Sequence, residues 1–173
     1  MTDSLLTGDE LPFRVEVIRS KRRTKSYAGR LVGGVLRVTV PSWMSGADER
    51  RAVAEMTARF RRKLSAERVD PRARMRHLHR TYGLPEAEQI RWSDDMTGRW
   101  ASCTPATSTI RVSSRIAAFP TWVVDYVLVH EMAHLLHAGH GPEFRAAVGV
   151  YPKAERAIGY LIAKSGEDDD PVD

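Results

Sequence analysis

Val127-Leu-Val-His130-Glu131-Met-Ala-His134-Leu-Leu-His137-Ala-Gly139-His140-Gly141-Pro142 is the stretch on which the reading of the chain turns. Residues four apart on an α-helix lie nearly one above the other, so His130 and His134 project from one face, a turn apart. Two imidazoles so placed suit one Zn²⁺, each at roughly 2.0–2.1 Å. Glu131, one position on, stands beside such an ion. Its carboxylate suits a base that takes a proton from water held at the metal, and suits a third ligand poorly. Three protein ligands leave one tetrahedral corner open, which marks catalytic zinc rather than structural zinc.

Two nearby histidines compete to be the third ligand. His137 shares the helical stripe of His130, but on a straight helix its backbone lies roughly 10.5 Å further along the axis. One ion cannot meet both. His140 follows Gly139, and glycine is the usual residue just past a helix end, where φ turns positive. The expectation is that the chain stops there, turns, and returns His140 to the metal. His130, His134 and His140 are therefore the expected ligands and Glu131 the expected base. His137 is read as a polar residue near the site or at a helix C-terminus.

The surroundings sharpen the motif. Trp122, Val123, Val124, Tyr126, Val127, Leu128, Val129, Met132, Ala133, Leu135 and Leu136 make the helix apolar nearly all round, which predicts burial. Burying two imidazoles beside a carboxylate is costly, and a metal ion offsets that cost.

The 173 residues suit one domain with a substantial core, expected over residues 11–165. Residues 1–10 read as a loose leader with neither a basic head nor a long apolar run, so no signal peptide is expected. Residues 166–173, Gly-Glu-Asp-Asp-Asp-Pro-Val-Asp, read as an acidic disordered tail. No apolar run approaches the roughly 18 residues of a membrane span. The lone Cys103 rules out an intramolecular disulfide and fits a reducing compartment, so the chain is read as cytoplasmic. Net charge is +5 and lopsided. Arg14, Arg19, Lys21, Arg22, Arg23, Lys25, Arg30 and Arg37 face only Glu16. A basic N-terminal half of this kind suits nucleic acid or another polyanion, although no series of stacking aromatics is interleaved with it.

Alternation at Phe13, Val15 and Val17 predicts a strand. Gly33-Gly34 between Lys25–Val32 and Val35–Val40 predicts a hairpin. Ser45 to Asp48 opens a helix through Leu64. Asp70-Pro71 opens another that stops at Gly83. Within it His77 and His79, two apart, point to different faces and are given ordinary polar roles. Three short strands follow, at residues 89–93, 98–103 and 108–113. Helices are then expected from Pro120-Thr121, from Gly141-Pro142-Glu143, and over Lys153 to Ala163. Hairpins, helices, strands and again helices give an α+β fold.

Arg99-Trp-Ala-Ser-Cys103, Thr109-Ile-Arg-Val-Ser113, Val124 to His134 and His140-Gly-Pro-Glu-Phe144 together resemble the YgjP-like metallopeptidases. That group is related to the SprT-like and WLM proteases. The likeness covers roughly residues 13–150. It implies a minimal zincin fold, a twisted sheet over two helices of which the first carries the metal. His130, His134 and His140 fall on the family's ligand positions, and Glu131 on its general base. Two departures stand out: Ala101 replaces the usual glycine, and His137 is an added imidazole. The strand bearing Arg99, Trp100, Ser102 and Cys103 is expected beside the cleft, with Cys103 read as a small buried hydrophobe.

The expected function is zinc-dependent hydrolysis of peptide bonds, with one Zn²⁺ per chain and a peptide or protein substrate. Ser108–Ser113 is the expected edge strand for an extended peptide. Glu143 is read as an acid favoured in the first turn of a helix, ahead of a role orienting a ligand. Two alternatives remain open at this level: a metal-dependent nucleotide phosphoanhydride hydrolase, and a module that binds nucleic acid or protein with minor catalysis.

Overall fold

The computed structural model describes residues 13–96 and 98–165; the expected leader and acidic tail lie outside the described residues. The chain divides into two compact units, Met1–Leu64 and Ser65–Asp173. Each is described by itself.

The first unit is a three-stranded sheet and one helix. Strands β1 (Arg14–Ser20), β2 (Ala28–Val32) and β3 (Val35–Pro41) stand in the order β1-β3-β2. The Gly33-Gly34 hairpin forms as expected. Both glycines have positive φ, 56° and 77°, which the tight turn between antiparallel β2 and β3 requires. β1 adds to the other side of β3 in parallel. Helix α1 (Gly46–Arg68) begins where the Ser45 hydroxyl accepts the Asp48 N–H at 3.1 Å. Its Ala52 and Met56 close the core with Phe13, Leu36, Val38 and Val40. A Cβ at Gly29 would come within 2.9 Å of the Phe60 ring, which would have to shift to admit it.

The second unit holds the motif. Helix α2 (Pro71–Tyr82) is bounded as the sequence predicts. The Asp70 carboxylate accepts from the Arg72 and Ala73 N–H groups, and Gly83 closes the helix with φ 73°. Strands β4 (Gln89–Ser93), β5 (Ala101–Thr104) and β6 (Thr109–Ser113) form a sheet in the order β4-β6-β5. β4 runs parallel to β6 and β5 antiparallel to it. This corrects one expectation: Thr109–Ser113 is the central strand, and the edge strands are β4 and β5.

Helices α3 (Thr121–His134), α4 (Pro142–Gly149) and α5 (Ala154–Ser165) complete the unit. Every residue of α3 from Val123 to Ala133 is buried. The sheet, α2, α4 and α5 all pack against it. The fold is the expected α+β arrangement with the motif helix at the centre of its unit. No helix among the described residues is long and apolar enough to cross a membrane.

Candidate metal centre

Helix α3 sets the height of two imidazoles, and the turn after it supplies the third. The helix ends at His134, earlier than the apolar Leu135 and Leu136 suggest. The Ala133 carbonyl accepts the N–H groups of both Leu136 and His137 at 3.0 Å, which tightens the last turn and stops it. Gly139 is not the pivot: its φ is not positive, and the reversal is spread over residues 135–139. His140 nevertheless returns to α3. Pro142, in the first turn of α4, then carries the chain away.

The three ring nitrogens converge. His134 Nε2 lies 3.1 Å from His130 Nε2 and 3.0 Å from His140 Nε2. Three nitrogens bonded to one tetrahedral ion at roughly 2.0–2.1 Å would stand about 3.3 Å apart, so this spacing fits a single small cation with little adjustment. His134 Nδ1 lies 3.0 Å from the His137 carbonyl, which accepts its N–H. That bond fixes the tautomer and leaves the His134 Nε2 lone pair free to meet a cation. Burial, followed by the neighbouring charges of His134 and His140, pushes His130 down to about 3, so its ring is neutral. Among the described residues, His130, His134 and His140 are the group able to hold a metal ion.

Phe144 holds the three rings in place, a role the sequence reading did not give it. Its ring stacks on His134 at 4.4 Å between centroids and meets His130 and His140 edge-on at 4.9 and 4.6 Å. His140 precedes α4 and Phe144 lies within it, so helical spacing gave no sign of the contact.

Glu131 is buried at 2% exposure and lines a cleft of about 310 Å³ with His134, His140, Ser102 and Cys103. A carboxylate buried on the same helix turn as two imidazoles and facing the same cleft is placed for proton transfer beside a cation. The other wall is the edge strand β5. The residues of the Arg99–Cys103 motif, which leads into β5, divide their work. Trp100 is buried against Phe119, with the Arg115 guanidinium 4.2 Å above its ring, and its carbonyl accepts the Ser113 N–H at 2.8 Å. Ala101 fits in the core at 1% exposure. Arg99 and Cys103 face the cleft. Burial, and then the charge of Glu131, push the Cys103 thiol up to about 11, which keeps it protonated and unreactive.

The remaining candidates sort themselves by distance. The His137 ring points to Glu143, with Nδ1 3.8 Å from its carboxylate, and is not among the converging nitrogens. The Glu143 side chain is largely exposed, as suits an acid in the first turn of α4. His79 Nδ1 meets the Leu84 carbonyl at 2.7 Å, an ordinary polar role.

The family model for the YgjP-like metallopeptidase domain matches residues 39–161. The chain belongs to the YgjP-like metallopeptidase family. By family it is a metallopeptidase, an enzyme of peptide-bond hydrolysis. The crystal structure of the metallopeptidase zymogen of Pyrococcus abyssi abylysin is similar at 17% identity with a TM-score of 0.51, covering 57% of this chain and 97% of that one. That of Methanocaldococcus jannaschii jannalysin is similar at 19% identity with a TM-score of 0.49, covering 56% and 98%. The abylysin likeness concerns the fold, which is zincin-like. No curated protein matches the chain.

Proposed function

We propose that His130, His134 and His140 hold one zinc ion per chain and that Glu131 is the general base of peptide-bond hydrolysis. The observation that carries this reading is the convergence of three imidazole Nε2 atoms, 3.0–3.1 Å along the chain of contacts, beside a buried carboxylate. A set of three imidazoles suits zinc, whose catalytic sites combine three protein ligands with one open position. When bound, the cation supplies a Lewis acid that polarises a peptide carbonyl and acidifies water towards a pKa of roughly 7. Glu131 takes the proton from the attacking water and delivers it to the leaving amine. The His137 carbonyl keeps the His134 ring oriented throughout. Edge strand β5, which borders the cleft, holds the substrate extended by main-chain hydrogen bonds.

All of these residues fall in the second unit. The first carries fourteen lysines and arginines against four acids over residues 13–64, and this charge supports a polyanion contact there, separate from catalysis. The lone thiol Cys103 suits a reducing compartment, and on that ground we place the protein in the cytoplasm.

The test pairs metal analysis with Glu131→Gln. The purified chain should carry about one zinc. Glutamine keeps the shape of the base but cannot accept a proton, so the variant should retain the metal and lose at least about 100-fold in kcat. Turnover within a few fold of wild type would remove Glu131 from the base role. A chain that takes up no divalent metal would remove the site.

A further inference from the structure

Arg99 is exposed and lines the same cleft as Glu131, His134, His140 and Cys103. The backbone that carries it is tied down. The Arg115 guanidinium donates to the Arg99 carbonyl at 3.1 Å, and the Ser113 N–H donates to the Trp100 carbonyl at 2.8 Å. The Arg99 guanidinium itself has no hydrogen bond or ion pair among the described residues. Neighbouring arginines are committed: Arg111, opposite Ser102 in the sheet, is held by Asp95 at 2.9 Å, and Arg115 lies over the Trp100 ring. Among the described residues, the acid in the lining of the cleft is the buried Glu131, which the proposed mechanism uses as a base. The cleft therefore offers a substrate one uncommitted, permanently charged cation. Its position along the cleft follows from Cys103. After burial, what raises that thiol is the charge of Glu131, so the base lies close to Cys103. Arg99 is four residues earlier, at most roughly 14 Å away along the chain.

We infer that Arg99 makes the enzyme favour peptides with an acidic side chain, Asp or Glu, a few residues from the bond that is cut, and disfavour Lys or Arg there. The inference rests on the peptidase reading and adds to it the chemistry of the substrate. An extended peptide advances about 3.4 Å per residue, so a cation displaced by up to four residues from the base meets a side chain within about four positions of the cut. A carboxylate there accepts two parallel N–H···O bonds from the guanidinium, whereas an ammonium meets a like charge. The preference is therefore built from attraction on one side and repulsion on the other. Because Arg99 is exposed, water and salt screen the pair. The gain of Glu over Gln is accordingly modest, about threefold to fivefold, the gain of Glu over Lys is larger, and both shrink as salt is raised.

The metal-loaded wild-type enzyme is first given proteome-derived peptides and its cleavage sites are read by mass spectrometry. A position within about four of the cut should be enriched at least about threefold in Asp and Glu and depleted in Lys and Arg. Peptides blocked at both ends, identical but for Glu, Gln or Lys at that position, should then rank in that order, with at least about tenfold in kcat/KM between Glu and Lys at low salt. Arg99→Gln should bring the three within about twofold of one another, and Arg99→Glu should reverse the order. A variant that merely misfolds slows all three alike and cannot reverse them. Binding is measured separately by calorimetry on zinc-loaded Glu131→Gln, with and without Arg99→Glu, and should show the same reversal. If no cut defines the position, blocked alanine peptides carrying Glu or Lys at every second residue are used. A flat ranking in the wild type, a ranking that Arg99→Glu leaves in place, or Glu and Lys peptides that bind within about twofold of each other would overturn the assignment. The absence of any cleavage would sink the peptidase reading instead, and the binding comparison would still decide Arg99.

Discussion

At the scale of single residues, the histidines after the helix separate by what each contributes. His140 offers a ring nitrogen to the cluster, whereas His137 offers only its backbone carbonyl, to His134 Nδ1. Replacing a side chain leaves a carbonyl in place. His140→Ala should therefore weaken zinc binding by at least about 100-fold, and His137→Ala by less than about threefold; competition against a chromophoric chelator measures both. Equal losses at the two positions would mean that the cluster is not the ligand set. Cys103 gives a second residue-scale outcome, with pH as the variable. Its folded pKa, raised to about 11, lies above the usual thiol value of roughly 8.5, so the thiolate is scarce at pH 8 and grows only towards pH 11. In the metal-free chain at pH 8, a thiol reagent should react with Cys103 at least about tenfold more slowly than with the urea-unfolded chain. Equal rates would show that the thiol is not held beside Glu131.

At the scale of elements, legibility depended on whether the signal was local. Both ends of α2 were readable, because Asp70, Pro71 and Gly83 each act on backbone groups within a turn of themselves. So was the Gly33-Gly34 hairpin. The parallel pairings of β1 with β3 and β4 with β6 left no mark, since no turn residue joins their partners. Thr109–Ser113 was misplaced at the edge for a related reason. Alternation reports which face of a strand is buried, whereas edge or centre is settled within the plane of the sheet. The end of α3 was missed because Leu135 and Leu136 continue the apolar pattern, although Leu136 is 61% exposed. Nor was the clamp between α2 and α3 visible. Arg74 donates two hydrogen bonds to the buried Asp125 carboxylate, and the Tyr151 hydroxyl donates to the Trp122 carbonyl at 2.9 Å. Asp125 interrupts an otherwise apolar run, and nothing local to it points to Arg74 as its partner. The hydrogen bond to Asp125 comes first in holding the Arg74 guanidinium charged against the cost of burial. Asp125→Asn leaves that cation without its counter-charge. Because about a third of the Arg74 side chain is exposed, the expected loss lies below that of a fully buried pair, about 2–3 kcal/mol in urea unfolding. A loss under about 0.5 kcal/mol would show that the clamp does not hold α3.

At the scale of the whole molecule, the metal should act on stability as well as on chemistry. Helix α3 is buried along its length and carries two imidazoles and a carboxylate into the core of its unit, while the third imidazole comes from beyond the helix end. The ring nitrogens of His130 and His140 each stand 3.0–3.1 Å from that of His134, and Glu131 lies buried beside them. A cation that binds this folded arrangement and not the open chain stabilises it by mass action, about 2.7 kcal/mol when its free concentration is 100 times Kd. Dialysis against a chelator should therefore abolish turnover and lower Tm by several degrees, and zinc added back in slight excess should restore both. The variants divide the effect. Glu131→Gln should keep the zinc-dependent rise in Tm while remaining inactive, since it retains all three imidazoles. His140→Ala should lose most of that rise, since its helix pair alone cannot complete the site. Hydrogen exchange should place the added protection on α3 and on residues 135–144, where the ligands and Phe144 lie. A wild-type Tm that does not respond to chelator, with turnover intact, would mean that the three histidines are held by hydrogen bonds alone and that the chemistry lies elsewhere.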